Sequence, residues 1–94
     1  MLGINVTYTM KPGMREEFLR RLEEGNFRAS VLEEVGCLGY DYYRSVEDED
    51  VLLLVERWAD HQAQQVHLRQ PHMDLVRQAK EACVAETKLD LYAL

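Results

Sequence analysis

An α+β fold, one antiparallel sheet with helices on one face, follows from three features of this sequence. Residues 2–10 alternate apolar with small or polar side chains without a break. Residues 51–58, Val-Leu-Leu-Leu-Val-Glu-Arg-Trp, hold five consecutive apolar residues rich in Leu and Val and end on an aromatic, which reads as a strand. The elements then run strand, helix, strand, strand, helix, strand, the split β-α-β order of a ferredoxin-like sheet.

The first strand carries Ile4, Val6, Tyr8 and Met10 on one face and Gly3, Asn5, Thr7 and Thr9 on the other. Pro12-Gly13 ends it. A helix is expected from Met14 to about Glu34, with Phe18, Leu22, Gly25, Ala29 and Leu32 as its inner stripe. Gly25-Asn26 is its weak point, and Gly36 suits its C-terminal cap. A second strand is expected over Leu38–Val46, with Tyr40, Tyr42 and Arg44 on one face. The acidic run 47–50 then reads as a solvated hairpin turn.

Strand 51–58 does not alternate until Glu56, so both of its faces need cover. Leu52, Leu54, Glu56 and Trp58 share one face; Val51, Leu53, Val55 and Arg57 share the other. Two helical regions can cover one face only. A second copy of the chain is the economical cover for the other, with Arg57 at that interface. Asp60 is placed to cap a short helix running to about Arg69. Pro71 opens a longer helix with inner stripe His72, Leu75, Val76, Ala79 and Cys83. A last strand is expected over Glu86–Tyr92.

Ninety-four residues make one domain, 1–94, small enough to gain from oligomerisation. The net charge of −6 and the lack of any gathered basic surface argue against nucleic acid or an anionic membrane as partner. No apolar run reaches membrane-spanning length, and the N-terminus lacks a signal-peptide pattern. Cys37 and Cys83 fit no metal spacing and read as reduced thiols of a cytoplasmic protein. There is no Gly-rich phosphate loop, and no Ser-His-Asp triad is suggested.

His67 and His72 are five apart, not the i, i+4 of a helical zinc pair, so no metal is expected. The proline between them makes a bend that can turn both toward the sheet. A histidine is the usual general base because its ordinary pKa lies near 6.5. His72 sits in the first turn of a helix, where the dipole disfavours the imidazolium. Asn5 is unusual in a strand, and its amide can donate to an anion. The Trp58 indole N–H needs a partner if buried, and a ligand can be one. Of the strand tyrosines, Tyr40 is the candidate phenol for a pocket.

Three segments resemble one family. Glu33-Glu34-Val35-Gly36-Cys37-Leu38-Gly39-Tyr40 resembles the helix-to-strand junction of antibiotic biosynthesis monooxygenase domains. Glu56-Arg57-Trp58 resembles the end of their third strand, and His67-Leu68-Arg69-Gln70-Pro71-His72-Met73 the step between their C-terminal helices. The match is nearest to the bacterial quinol monooxygenase-like members. The resemblance implies a dimeric α+β barrel, two sheets face to face with helices outside. It implies cofactor-free oxygenation of a quinol-like or polycyclic phenol by molecular oxygen, in a pocket between sheet and helices. His67 or His72 would be the base there, with Asn5, Trp58 and Tyr40 contacting substrate. Two alternatives stay open: an isomerase of a small hydroxy-ketone on the same fold, and a non-catalytic metabolite-binding dimer.

Overall fold

The computed structural model describes residues 1–94. Its elements are β1 (Leu2–Met10), α1 (Arg15–Glu24), α2 (Phe27–Leu32), β2 (Cys37–Arg44), β3 (Val51–Trp58), α3 (His61–Leu68), α4 (Met73–Cys83) and β4 (Val84–Ala93). The four strands form one antiparallel sheet in the order β2-β3-β1-β4, the expected ferredoxin-like plan.

The helices cover one face of the sheet. Ile4, Val6, Tyr8 and Met10 of β1 and Leu52, Leu54 and Trp58 of β3 are buried in one core with Phe18, Leu22, Phe27, Val31, Val76, Ala79 and Cys83 of the helices. The register pairs Asn5 with Val55, Thr7 with Leu53 and Thr9 with Val51, so these six side chains share the opposite face. Val51, Leu53 and Val55 are half-buried, and no helix of the chain covers them.

The first helical region departs from expectation. It is two helices, because Asn26 takes a left-handed conformation (φ 52°) between them. That break resets the helical phase. Phe27 and Val31 turn inward, while Ala29 and Leu32, expected on the inner stripe, are exposed. Gly25 marks a close approach to α4: a Cβ there would lie 2.2 Å from Leu75 Cδ2. The longer C-terminal helix starts at Met73, with Pro71 and His72 in the turn before it. β4 begins two residues earlier than expected and continues directly from α4.

Other local predictions hold. Asp60 Oδ1 accepts the Ala63 N–H at 2.8 Å and caps α3. The acidic hairpin is held by Arg15, whose guanidinium donates to the Ser45, Asp48 and Val51 carbonyls. No helix is long and apolar enough to cross a membrane.

Gly36 turns the chain from α2 into β2 at φ 86°, and its carbonyl accepts the Ala59 N–H at 2.7 Å. A Cβ there would lie 2.6 Å from Ala63 Cβ. Gly36→Ala should therefore lower stability by about 2 kcal/mol, from a left-handed backbone and an overfilled contact. Urea denaturation checks it, and an unchanged midpoint would refute it.

Candidate functional site

The turn at Gly36 carries the residue around which the site is built. Glu34 follows the end of α2, and its side chain folds inward until it is 8% exposed. Its Oε2 lies 2.9 Å from His67 Nδ1 and 2.7 Å from His72 Nε2. His67 comes from the last turn of α3, and His72 from the bend before α4. The bend at Pro71 thus brings the two histidines together, onto a carboxylate that is 33 and 38 positions away in sequence.

His67 is 2% exposed and stacks on Trp58, with ring centroids 4.6 Å apart, and edge-on to Tyr40 at 5.7 Å. Burial pushes its pKa below the ordinary 6.5, outweighing the pull of Glu34 in the other direction. It is therefore neutral near pH 7. Glu34 as a carboxylate only accepts, which puts the single ring proton on Nδ1 and leaves the lone pair on Nε2. No hydrogen bond engages Nε2.

Glu56 is the second titratable group. It lies among Leu52, Leu54 and Trp58 on the inner face of β3 and is 6% exposed. Its Oε1 accepts the Trp58 indole N–H at 3.0 Å. Burial raises its pKa from 4.5 to about 7, against the lowering effect of that hydrogen bond, with the charge of Glu34 adding to the rise.

These groups meet a cavity of about 320 Å³ between the sheet and α3–α4. Ile4, Val6, Tyr8, Tyr40, Met73 and Val76 line its apolar part, and Glu56 and His67 share the polar part with His61, Gln64, Gln65, Arg77, Lys80 and Thr87. Leu89 and Leu91 of β4 also line it and remain more than half exposed, so it opens at the sheet edge. Burial holds the Tyr40 phenol well above its usual pKa, which keeps it a neutral donor. A separate groove of about 700 Å³ on the outer side is lined by Glu34, His72, Gly36, Asp60 and Ala63. His67 faces the cavity; Glu34 and His72 face the groove.

Three sequence expectations need correction. Asn5 does not sit under the helices with the histidines. It lies on the far face of the sheet, where its Oδ1 accepts the Tyr92 hydroxyl at 2.9 Å, because the greasy side of β1 is the side the helices bury. Trp58 is fully buried behind His67 and lines no cavity. Its indole N–H is taken by Glu56, and its ring packs on His67. His72 joins the cluster from the groove side and does not line the cavity, because the bend before α4 turns its ring toward Glu34. Tyr40 and His67 do line it. Sequence reasoning did not single out Glu34 or Glu56 as functional. Glu56 had a signal: it is the one charged residue on the helix-facing side of its strand.

The Glu56 shift makes a stability prediction. Its folded pKa of about 7 lies above the unfolded 4.5, so the protonated form stabilises the fold fully below pH 4.5. That contribution is lost as pH rises to about 7 and beyond, on the order of 3 kcal/mol. Glu56→Gln should flatten this part of the stability–pH curve. Urea unfolding from pH 4.5 to 8 reads it, and equal slopes in both proteins would contradict it.

A ferredoxin-like sheet with a small cavity under its helices, and Glu56 and His67 on that cavity's wall, defines a class of compact α+β domains. The comparisons narrow the class. The family model described as "Antibiotic biosynthesis monooxygenase" matches residues 1–79, and the chain belongs to that family. A crystal structure of a Pseudomonas aeruginosa protein is similar at 30% identity, covering 99% of this chain and 93% of that one, with a TM-score of 0.86. A conserved protein of Methanosarcina mazei is 24% identical, covering 97% and 89%, with a TM-score of 0.86. A Nitrosomonas europaea protein, provisionally named an antibiotic biosynthesis monooxygenase, is 20% identical, covers 99% and 97%, and shares the fold at a TM-score of 0.88. No curated protein matches the chain.

Proposed function

We propose that the chain is a cofactor-independent monooxygenase that oxidises a quinol-like or polycyclic phenol with molecular oxygen, with His67 as general base. The observation that carries this reading is the Glu34–His67 pair: a buried neutral imidazole, oriented through Nδ1 by a carboxylate, with its other nitrogen free of hydrogen bonds, on a side chain that lines the cavity. A phenol ring suits those walls, and its hydroxyl proton suits that lone pair. His67 takes the proton, and Glu34 stabilises the imidazolium that forms. Protonated Glu56 and the Tyr40 hydroxyl supply donors for the substrate's oxygens.

The electron-rich anion then passes an electron to oxygen, and the two radicals combine. For an anthrone-like substrate the sum is one ring methylene and one dioxygen in, one ring ketone and one water out. One oxygen atom enters the product, and the other leaves as water with the two methylene hydrogens. The methylene carbon supplies all four electrons, so no outside reductant is needed. The open sheet face with Val51, Leu53 and Val55 supports a homodimer built sheet to sheet. The two free thiols, Cys37 and Cys83, suit a cytoplasmic setting.

Glu56 favours a second reading. A carboxyl with its pKa raised to about 7, beside a neutral imidazole at one cavity, would also serve an isomerase of a small hydroxy-ketone. An oxygen electrode decides between them. A screen of reduced quinones and anthrones should give enzyme-dependent oxygen uptake above autoxidation. No uptake, with solvent hydrogen entering a hydroxy-ketone carbon instead, would favour the isomerase.

A further inference from the structure

The reading above uses His67 Nε2 and leaves the other side of the cluster unassigned. One ring nitrogen each of His67 and His72 and a Glu34 oxygen all lie within 4.8 Å of one another, and the nitrogens bonded to Glu34 are His67 Nδ1 and His72 Nε2. Around a zinc-sized ion, with bonds of about 2.0–2.2 Å, neighbouring ligand atoms stand about 2.9 Å apart at right angles and about 3.3 Å apart at tetrahedral angles. The two carboxylate–imidazole distances, 2.9 and 2.7 Å, need to open by tenths of an ångström, and the two ring nitrogens, within 4.8 Å of each other, need to settle at about 3.3 Å. The three residues come from three separate segments and converge on one point, which the five-residue spacing of the histidines alone does not reveal.

We infer that Glu34, His67 and His72 form a binding site for a divalent first-row transition ion such as Zn2+ or Fe2+, reached from the outer groove. Two imidazoles and one carboxylate select such ions over Mg2+ and Ca2+, which prefer all-oxygen sets. The groove, lined by Glu34 and His72, provides the access route and leaves the remaining coordination positions to water. The ion takes the place of the protons that now bridge the carboxylate and the rings.

The consequence for the cavity is a change of tautomer. With Nδ1 bound to metal, neutral His67 carries its proton on Nε2. A base toward the cavity becomes a donor. This effect on turnover rests on the proposed role of His67; the binding of the ion does not.

The test is titration of EDTA-stripped, dialysed protein with cobalt(II) chloride, followed by visible absorption and then by competition with zinc(II). Saturation at one ion per chain is expected, with displacement by zinc. His72→Gln, at a half-exposed position, and Glu34→Gln should each weaken binding at least about 100-fold, since even the outer partners of metal ligands are worth 10–100-fold. His61→Gln, at the remaining histidine, should leave binding unchanged. Absence of cobalt bands at stoichiometric ion, or full-strength binding in folded His72→Gln, would overturn the site. Oxygen uptake supplies the separate check. One equivalent of zinc should suppress it, and EDTA should restore it. Zinc that binds stoichiometrically through His72 yet leaves uptake intact would refute the base assignment while the metal site stands.

Discussion

Replacing His67 should lower turnover by roughly 10²–10⁴-fold on a confirmed phenolic substrate, the usual worth of a positioned general base. His67→Ala leaves a hole beside Trp58, so His67→Gln is the better variant: it keeps most of the volume and cannot act as a base. The pH profile separates the chemical role from a packing role. The active form of His67 is the neutral one, so the rate should rise with pH on a limb below 6.5, the direction in which burial moves this group. If protonated Glu56 holds the substrate oxygen, the rate should fall again near its pKa of about 7. The wild type should then show a narrow bell, and Glu56→Gln, whose amide stays a donor, should lose the falling limb. Full activity in His67→Gln would end the general-base assignment.

Leu53→Asp should abolish the dimer. Leu53 is in the middle of β3, paired with Thr7, on the face that no helix covers. A second sheet packed there would bury the new carboxylate without a partner, at a cost of several kcal/mol. Light scattering with size exclusion should find dimeric wild type at micromolar concentration, and monomer or unfolded chain for the variant. Val46→Asp, at a position 98% exposed outside the strands, is the matched control and should remain dimeric. A monomeric wild type would refute the sheet-to-sheet assembly.

The sheet was readable because β1 alternates with period two and β3 carries an unbroken apolar run closed by an aromatic. The Asn26 break was half readable. Gly25-Asn26 pointed to a weak turn, but only the left-handed backbone at Asn26 explains why Phe27 and Val31 replace Ala29 and Leu32 inside. Asn5 was misplaced because alternation within a strand does not say which face the helices take. The register to Val55 does. His67 was readable as a chemical type. Its partner was not, since Glu34 is one of two adjacent glutamates, and only the turn at Gly36 decides which of them folds inward. Glu56 showed its face in the sequence but not its protonation, which depends on how completely the helices close over it.

The arrangement of Glu34 between two imidazoles also bears on how a catalyst resets. Under the proposed reaction, a proton captured by His67 behind a bound substrate must leave before the next cycle. His67 spans from the chamber to Glu34, and Glu34 touches His72, whose side chain is 24% exposed at the groove. Acceptors and donors alternate along that line, so the proton can exit from the rear while the substrate occupies the front. If the substrate is the phenol proposed above, its ring can then fill the entrance at Leu89 and Leu91 while the proton leaves by the other side.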